Sequence, residues 1–156
     1  MVAFTLNGTA VAPDLPGDVA LLHALRGALD LSGPRFGCGA EQCGACMVLV
    51  DGKPAYACTV TLDAVAGRSV TTVEGLGTPE APHALQSALL AEQAGQCGFC
   101  LSGIIVSAAA LLRDNPAPDE DAVRAALDPH LCRCGSHARI IRAVLRAAAA
   151  MRGDAP

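Results

Sequence analysis

Eight cysteines, arranged in two sets of four, constrain this chain more than any other feature of its sequence. One set lies within residues 38–58 and the other within residues 97–134. Eight cysteines in 156 residues are about 5%, below the roughly 8–10% of short proteins that disulfides hold together. A chain of this length, 52% hydrophobic, can bury a core without such cross-links. The clustered thiols therefore favour metal binding.

The first set has the spacing C-x4-C-x2-C, followed by eleven residues and a fourth cysteine. Its members are Cys38, Cys43, Cys46 and Cys58. The opening triplet is typical of plant-type [2Fe–2S] sites. Gly37, Gly39 and Gly44 would let the backbone approach the sulfurs and direct N–H groups at them. Zinc is the alternative, but structural zinc ligands usually come as two matched pairs, so this set predicts a [2Fe–2S] cluster.

The second set consists of two pairs, C-x2-C and C-x-C, and by itself leaves zinc and a second cluster open. Its members are Cys97, Cys100, Cys132 and Cys134. Each pair precedes an apolar segment that predicts a helix, and the N-terminal end of a helix dipole favours thiolates. This placement suits a second cluster. A thioredoxin-type redox motif would need a preceding strand in a β-α-β unit, whereas the surroundings here are helical.

Short strands and one helix are predicted for the N-terminal half. Asn7-Gly8 and Asp51-Gly52 each separate two short apolar segments, which is typical of hairpins with type I′ turns. A further strand is predicted at 69–73. Asp18 is the candidate N-cap of a helix that follows it. The apolar face of that helix would contain Leu21, Leu22, Leu25, Ala28 and Leu29.

Four helices are predicted for the C-terminal half, within residues 83–95, 99–114, 116–129 and 136–151. Asp119 is the candidate N-cap of the third. In the fourth, the inward face would contain Ile140, Ile141, Val144, Leu145 and Ala148, and the solvated face Arg139, Arg142 and Arg146. The patterns together predict an α+β chain with a β-plus-helix domain at 1–75, a Gly- and Pro-rich linker at 76–82 and a four-helix domain at 83–156.

Composition and charge exclude some classes of function. A net charge of −4 and a pI near 5.4 argue against nucleic-acid binding. No apolar run reaches about 18 residues, so no membrane span is expected. The N-terminal residues show no signal peptide, which favours the cytoplasm; the alternative is export or membrane association through a partner. The high mean hydropathy of +0.40 indicates apolar surface covered by a partner, or an alanine content that inflates the index.

Three segments together resemble the small iron–sulfur subunit of the molybdenum hydroxylases, the xanthine oxidase family. They are GCGAEQCGACMVLVDG, AGQCGFCLSGII and LCRCGSHARIIRAV, and the resemblance extends over about residues 2–150. It implies a ferredoxin-like β-grasp domain followed by a four-helix bundle. It also implies two [2Fe–2S] clusters, an outer one held by the first cysteine set and an inner one, nearer the molybdenum cofactor, held by the second.

The resemblance further implies an electron-transfer subunit of a molybdenum-dependent oxidoreductase. Its large partner subunit would hold molybdopterin, as the cytosine dinucleotide, and oxidise an N-heterocycle or an aldehyde. Gln96 matches the family's glutamine that reaches the pterin, and Cys134 matches a cysteine beside the pterin. This chain would supply no catalytic residue of its own.

The residues after Cys134 depart from the Thr-Gly-Tyr of many family members. Gly135-Ser136-His137 is similar to the branch of isoquinoline, nicotinate and membrane-associated aldehyde dehydrogenases. Some of these pass electrons to a cytochrome c, so a cytochrome c and a flavin subunit both stay open as partners. Two other classes remain: a freestanding ferredoxin-like carrier, which would benefit from a more charged steering face, and a zinc-stabilised interaction module.

Overall fold

Five short strands form one mixed sheet in the computed structural model, which describes residues 1–154. They are β1 (Phe4–Leu6), β2 (Thr9–Val11), β3 (Met47–Val50), β4 (Lys53–Tyr56) and β5 (Ser69–Thr71). The strand order is β2-β1-β5-β3-β4. β5 runs parallel to β1 and antiparallel to β3, so it joins the two hairpins into one sheet.

Both predicted hairpin turns are confirmed. Asn7 and Gly8 have φ values of 49° and 82°, and Asp51 and Gly52 have 49° and 78°. Two successive positive φ angles define the type I′ turn that the Asn-Gly and Asp-Gly sequences predict. The Asn7 side chain also donates to Thr72 Oγ1 at 3.0 Å and accepts from the Thr72 backbone N–H at 2.9 Å. The first hairpin is thereby fastened to the end of β5.

The first helix, α1, covers only Leu21–Arg26, and the prediction that Asp18 caps it is wrong. Ala20 is extended instead, because it bridges to Thr61, and the Val19 carbonyl before it accepts from the Leu62 amide. The helix ends at Arg26, with Gly27 as its C-cap, so the prediction that Ala28 and Leu29 lie on its buried face is also wrong; Ala28 is exposed and Leu29 half-buried. Leu21, Leu22 and Leu25 are buried as predicted.

Four longer helices follow: α2 (Ala84–Ala91), α3 (Leu101–Asp114), α4 (Glu120–Leu127) and α5 (His137–Arg152). Asp119 caps α4 as predicted, since its Oδ1 accepts from the Ala122 amide at 2.8 Å. The predicted inward face of α5 is buried apart from the half-buried Leu145. The arginine stripe is exposed as predicted, and two of its members pair with Glu92 at the end of α2.

β3 positions the two halves of the molecule relative to each other. All four of its residues are buried because opposite faces of the strand meet different partners. Val48 and Val50 lie in the core beneath α1, whereas Met47 and Leu49 pack against Val106 and other residues of α3. The predicted α+β class is confirmed, with a ferredoxin-like sheet followed by a helical domain. None of the helices within residues 1–154 combines the length and the apolar character needed to cross a bilayer.

Candidate metal centres

The β3–β4 hairpin brings together the last two cysteines of the first set. Cys46 immediately precedes β3, and Cys58 lies two residues beyond β4. In the antiparallel register Met47 pairs with Tyr56, so the open end of the hairpin places positions 46 and 58 next to each other. Cys46 is 2% exposed, and burial raises the pKa of its thiol to about 12.

The loop before β3 surrounds the other two sulfurs of this set with backbone donors. The amides of Ala40 and Gln42 donate to Cys38 Sγ at 3.3 and 3.2 Å. The Cys38 amide donates to Cys43 Sγ at 3.4 Å. The bonds from Ala40 and Gln42 lower the pKa of the exposed Cys38 thiol to about 7. The loop therefore favours negative charge on sulfur at its exposed end.

Two of the predicted glycine positions are crowded. A Cβ at Gly37 would lie 2.6 Å from Cys43 Sγ, so only glycine lets the chain pass this close to the sulfur. Gly44 has a φ of 70°, and a Cβ there would overlap the ring of His130. The loop is thus shaped both by its own sulfurs and by a residue from the helical half.

The second cysteine set lies where two helices begin. Cys97 and Cys100 precede α3, and Cys132 and Cys134 precede α5. The Phe99 amide donates to Cys97 Sγ at 3.5 Å, which lowers the pKa of that exposed thiol. Burial raises the pKa of Cys100 to about 12. Burial acts to raise the pKa of Cys132, but hydrogen bonds to its sulfur outweigh burial, so the pKa is lowered overall. The strongest of these bonds comes from the Ser136 backbone.

The sulfurs of each set meet in pairs. The pairs are Cys38 with Cys43, Cys46 with Cys58, Cys97 with Cys134, and Cys100 with Cys132. Among residues 1–154, no three Cys, His, Asp or Glu side chains converge as they would around a single metal ion. A [2Fe–2S] cluster has two irons that share four cysteine thiolates, so it calls for two sulfur pairs. The donors of each set therefore fit such a cluster.

A cavity of about 370 Å³ separates the two sets. Its lining includes Cys38 and Cys43 of the first set and Cys97, Cys100 and Cys132 of the second, together with apolar side chains such as Phe99 and Leu131. A larger groove, about 980 Å³, lies between residues 77–82 and α2 but is lined by no cysteine. The chemically relevant space is the smaller cavity, because both cysteine sets open onto it.

Gln96 lies beside Cys134. Its Nε2 atom is 3.5 Å from the Cys134 carbonyl oxygen, at the limit of a hydrogen bond, and its side chain is exposed. The structure thus brings Gln96 to the solvent-facing side of the second set. This position leaves the amide available to a group outside the chain.

Sequence reasoning missed the residues that connect the two sets. Arg35 donates to the Gly98 carbonyl at 3.1 Å and lies over the Phe99 ring, 5.3 Å from its centroid. His130, 5% exposed, binds Ser107 on α3. Burial lowers the pKa of His130 to about 4, so its imidazole is neutral near pH 7. No local pattern marks these residues, because their partners are distant in sequence.

Two family models together match most of the chain. Residues 4–73 match a 2Fe-2S iron-sulfur cluster binding domain, and residues 72–145 match a [2Fe-2S] binding domain. Each cysteine set lies inside one of these matches.

Relatives of similar length are components of bacterial enzymes. The chain is 46% identical to one of the subunits of nicotinate dehydrogenase from Pseudomonas putida, over 97% of this chain and 96% of that protein. It is 48% identical to the alpha subunit of isoquinoline 1-oxidoreductase from Brevundimonas diminuta, over 95% and 97%.

Solved structures share the fold over nearly all of this chain. A quinoline 2-oxidoreductase chain from Pseudomonas putida 86 matches with a TM-score of 0.90 and 37% identity, over 99% of this chain and 97% of that one. The aldehyde oxidoreductase of Desulfovibrio desulfuricans matches with a TM-score of 0.95 and 42% identity, but this chain covers only 17% of it.

Proposed function

The chain belongs to the small [2Fe–2S] subunits of the molybdenum hydroxylases, the xanthine oxidase family, and from this we propose that it holds two [2Fe–2S] clusters and relays electrons from the large molybdopterin subunit to an acceptor. The substrate-oxidising site of these enzymes lies in the large subunit. The role of this chain is therefore to hold redox centres and tune them.

The observation that carries the two-cluster proposal is the pairing of all eight sulfurs. Each set supplies two thiol pairs, one at an exposed end and one at a buried end. Cys38, Cys43, Cys46 and Cys58 would hold the first cluster, and Cys97, Cys100, Cys132 and Cys134 the second. When bound, such a cluster takes up and releases one electron at a time.

The chain's own residues would control how easily negative charge accumulates at each site. The amides of Ala40 and Gln42 stabilise charge on Cys38, whereas the apolar surroundings of Cys46 and Cys100 oppose it. Hydrogen bonds to sulfur and burial act in opposite directions on a reduction potential. The residues around each cysteine would thus set the reduction potential of the cluster, although none of them contacts a substrate.

The surface at Gln96 and Cys134 would face the molybdopterin, in its cytosine dinucleotide form, held by the large subunit. The exposed Gln96 amide supports this assignment, as does its contact with the Cys134 carbonyl. By similarity to the nicotinate and isoquinoline enzymes, the substrate class is an N-heterocycle, with an aldehyde as the alternative. The acceptor would be a flavin subunit, a cytochrome c or another electron acceptor. The assembly would work in the cytoplasm, or outside it if a partner carries the export signal.

Metal analysis tests the central proposal. The chain purified with its large subunit should contain about four irons and four acid-labile sulfides of its own and absorb visible light through sulfur-to-iron charge transfer. A colourless chain with one or two zinc ions in place of iron would overturn the proposal. A brown chain that never associates with a molybdenum protein would instead identify a freestanding carrier.

Substituting one cysteine of each set tests whether the sets fill independently. We expect Cys43→Ser to lower the iron content by about half and remove one reduced-cluster EPR signal, because each cluster needs all four of its thiolates. Cys100→Ser is the matched variant in the second set and should remove the other signal. If either variant lost both signals, the two sites would not assemble independently.

Replacing Gln96 tests the proposed contact with the molybdenum cofactor. Gln96→Ala should leave both clusters assembled but change the molybdenum EPR signal and lower the turnover rate, because a polar link to the pterin is lost. Gln93→Ala, which changes another glutamine three residues earlier, is the control. Unchanged turnover and an unchanged molybdenum signal in Gln96→Ala would contradict the assignment.

A further inference from the structure

Three segments, each containing or adjoining a cysteine, meet at the buried side chain of His130. The first is the loop at Cys43-Gly44, the second is α3, which begins next to Cys100, and the third is the segment before Cys132. His130 is 5% exposed and belongs to the third segment. It therefore lies at the junction of both cysteine sets, outside either one.

His130 and its neighbour hold two consecutive residues of the first loop. The Leu131 amide donates to the Cys43 carbonyl at 3.1 Å. The Nδ1 side of the His130 ring lies against the Gly44 backbone. Within residues 1–154, Nδ1 has no hydrogen-bond partner that meets both the distance and the angle of a hydrogen bond. The segment that leads to Cys132 is thus fitted along the loop that contains Cys43.

The other side of the ring is attached to α3. Nε2 of His130 lies 2.7 Å from Ser107 Oγ, and both side chains are buried. One turn earlier on α3, Gly103 meets the Gly44 carbonyl so closely that a Cβ at Gly103 would overlap it. A buried hydrogen bond and a glycine contact, spaced by one turn, therefore fix α3 against the same loop.

We propose that His130 is a positioning residue that fixes the two cysteine sets relative to each other, through its hydrogen bond to Ser107 and its contact with Gly44. The proposal rests on the proposed function, since it concerns the coupling between two clusters. A direct hydrogen-bonded connection between the sets is that of the Cys43 carbonyl with the Leu131 amide, one residue from Cys132. A shift of the His130 segment would disturb the hydrogen bond between Leu131 and Cys43 and so change the distance between the two sets.

A pair of serines on one helix allows the proposal to be tested without removing a buried ring. Ser107→Ala removes the partner of His130, whereas Ser102→Ala, also on α3, removes a hydroxyl that has no partner among residues 1–154. His130→Leu fills a similar volume without polar atoms and separates hydrogen bonding from packing. All variants should be prepared in the complete complex with the large subunit.

The decisive measurement is the magnetic interaction between the two clusters in the fully reduced protein. In the parent complex, low-temperature EPR should show both reduced signals split by each other, and this splitting falls steeply with distance. Ser107→Ala should lose part of the splitting while it keeps about four irons, and Ser102→Ala should not. Hydrogen exchange of the Leu131 amide should become faster in Ser107→Ala and in His130→Leu, which both lose the hydrogen bond, but not in Ser102→Ala.

Each outcome separates this proposal from the proposed function. A parent complex without two iron–sulfur signals would overturn the proposed function, and the Leu131 exchange rate would still test the junction. A Ser107→Ala complex with full iron, unchanged splitting and unchanged exchange would overturn the role of His130. Loss of one cluster in Ser107→Ala would also overturn it, because His130 would then support one site rather than the spacing of two. If His130→Leu fails to fold, Ser107→Ala decides.

Discussion

The thiols of each set differ in how readily they lose a proton. Cys38 and Cys97 are exposed and accept backbone hydrogen bonds, which lower their pKa values. Cys46 and Cys100 are buried, and both have a pKa raised to about 12. At each site the exposed thiol therefore loses its proton more readily than the buried one, and a bound metal's charge would favour deprotonation of the buried one.

This difference predicts a pH dependence for the iron-free chain. Because the pKa of Cys38 is lowered to about 7, its reactive thiolate is more than half formed above that pH, and iodoacetamide should alkylate it readily there. Alkylation of Cys46 should stay slow until far higher pH, because its pKa is about 12. Mass spectrometry of the peptides measures both rates. In the urea-unfolded chain, where cysteines titrate near about 8.5, the difference should vanish. Equal rates in the folded chain would contradict these shifts.

At the scale of elements, α3 serves both halves of the molecule. Its first residue follows Cys100, and its side chains contact the sheet as well as the other helices. Gly103 is the point of closest approach, since a side chain there would meet the Gly44 carbonyl. The helix that begins next to Cys100, a proposed cluster ligand, thus also supports the loop of the first cysteine set.

Gly103→Ala is expected to destabilise the protein, although replacing glycine by alanine within a helix usually stabilises it. Alanine in a helix interior normally stabilises by about 0.5–1 kcal/mol relative to glycine. Here the added methyl group would force α3 and the loop apart, so we expect a net loss of about 1–3 kcal/mol in the free energy of unfolding. Urea denaturation followed by circular dichroism measures it, with Ser102→Ala as the control on the same helix. A stabilised Gly103→Ala chain would show that the contact does not constrain the helix.

The sequence predicts elements well where the signal is local. Asn7-Gly8 and Asp51-Gly52 specify their turns, and Asp119 specifies a helix start, because each acts through neighbouring residues. The prediction from Asp18 is wrong because Ala20 pairs with Thr61, which is distant in sequence. This pairing keeps Ala20 extended, so the helix begins only at Leu21. The spacing of the eight cysteines predicts two sets, but the contact of His130 with residues 44 and 107 has no local signature. Contacts between distant segments depend on the folded shape, which spacing alone does not contain.

At the scale of the whole molecule, the two halves share a core. Met47 and Leu49 from the sheet pack with Val106 and Ala110 of α3, and all four are buried. At the edge of this cluster, Arg113 on α3 donates to the Gly52 carbonyl at 2.7 Å. The shared apolar surface predicts that the halves unfold together, although each has a core of its own.

Met47→Ala tests this shared core. Truncating a buried methionine costs about 2–5 kcal/mol of unfolding free energy, and the loss should reach both halves. Tyr56, the single tyrosine, reports on the sheet through its fluorescence, and circular dichroism reports mainly on the helices. Both probes should give one coincident urea transition, shifted in Met47→Ala and unshifted in the exposed control Met151→Ala. Two separate transitions would mean that the halves are independent.

Exposed apolar side chains surround the cysteine sets. Phe36, Phe99 and Leu131 are 54%, 45% and 65% exposed, and the last two line the cavity between the sets. The high mean hydropathy of the chain therefore reflects, in part, apolar side chains exposed around the two cysteine sets. We expect a partner subunit to cover this surface in the assembled enzyme.

The two hydrogen bonds between Asn7 and Thr72 affect how fast Asn7 is deamidated. Asn-Gly sequences lose their side-chain amide when the glycine nitrogen attacks it, which requires a freely rotating asparagine. Here both ends of the Asn7 amide bind Thr72, so the folded chain resists deamidation. A carboxylate at position 7 would also compete with Glu74 for the Thr72 hydroxyl. Storage damage at this turn should therefore accumulate mainly in molecules that have already unfolded.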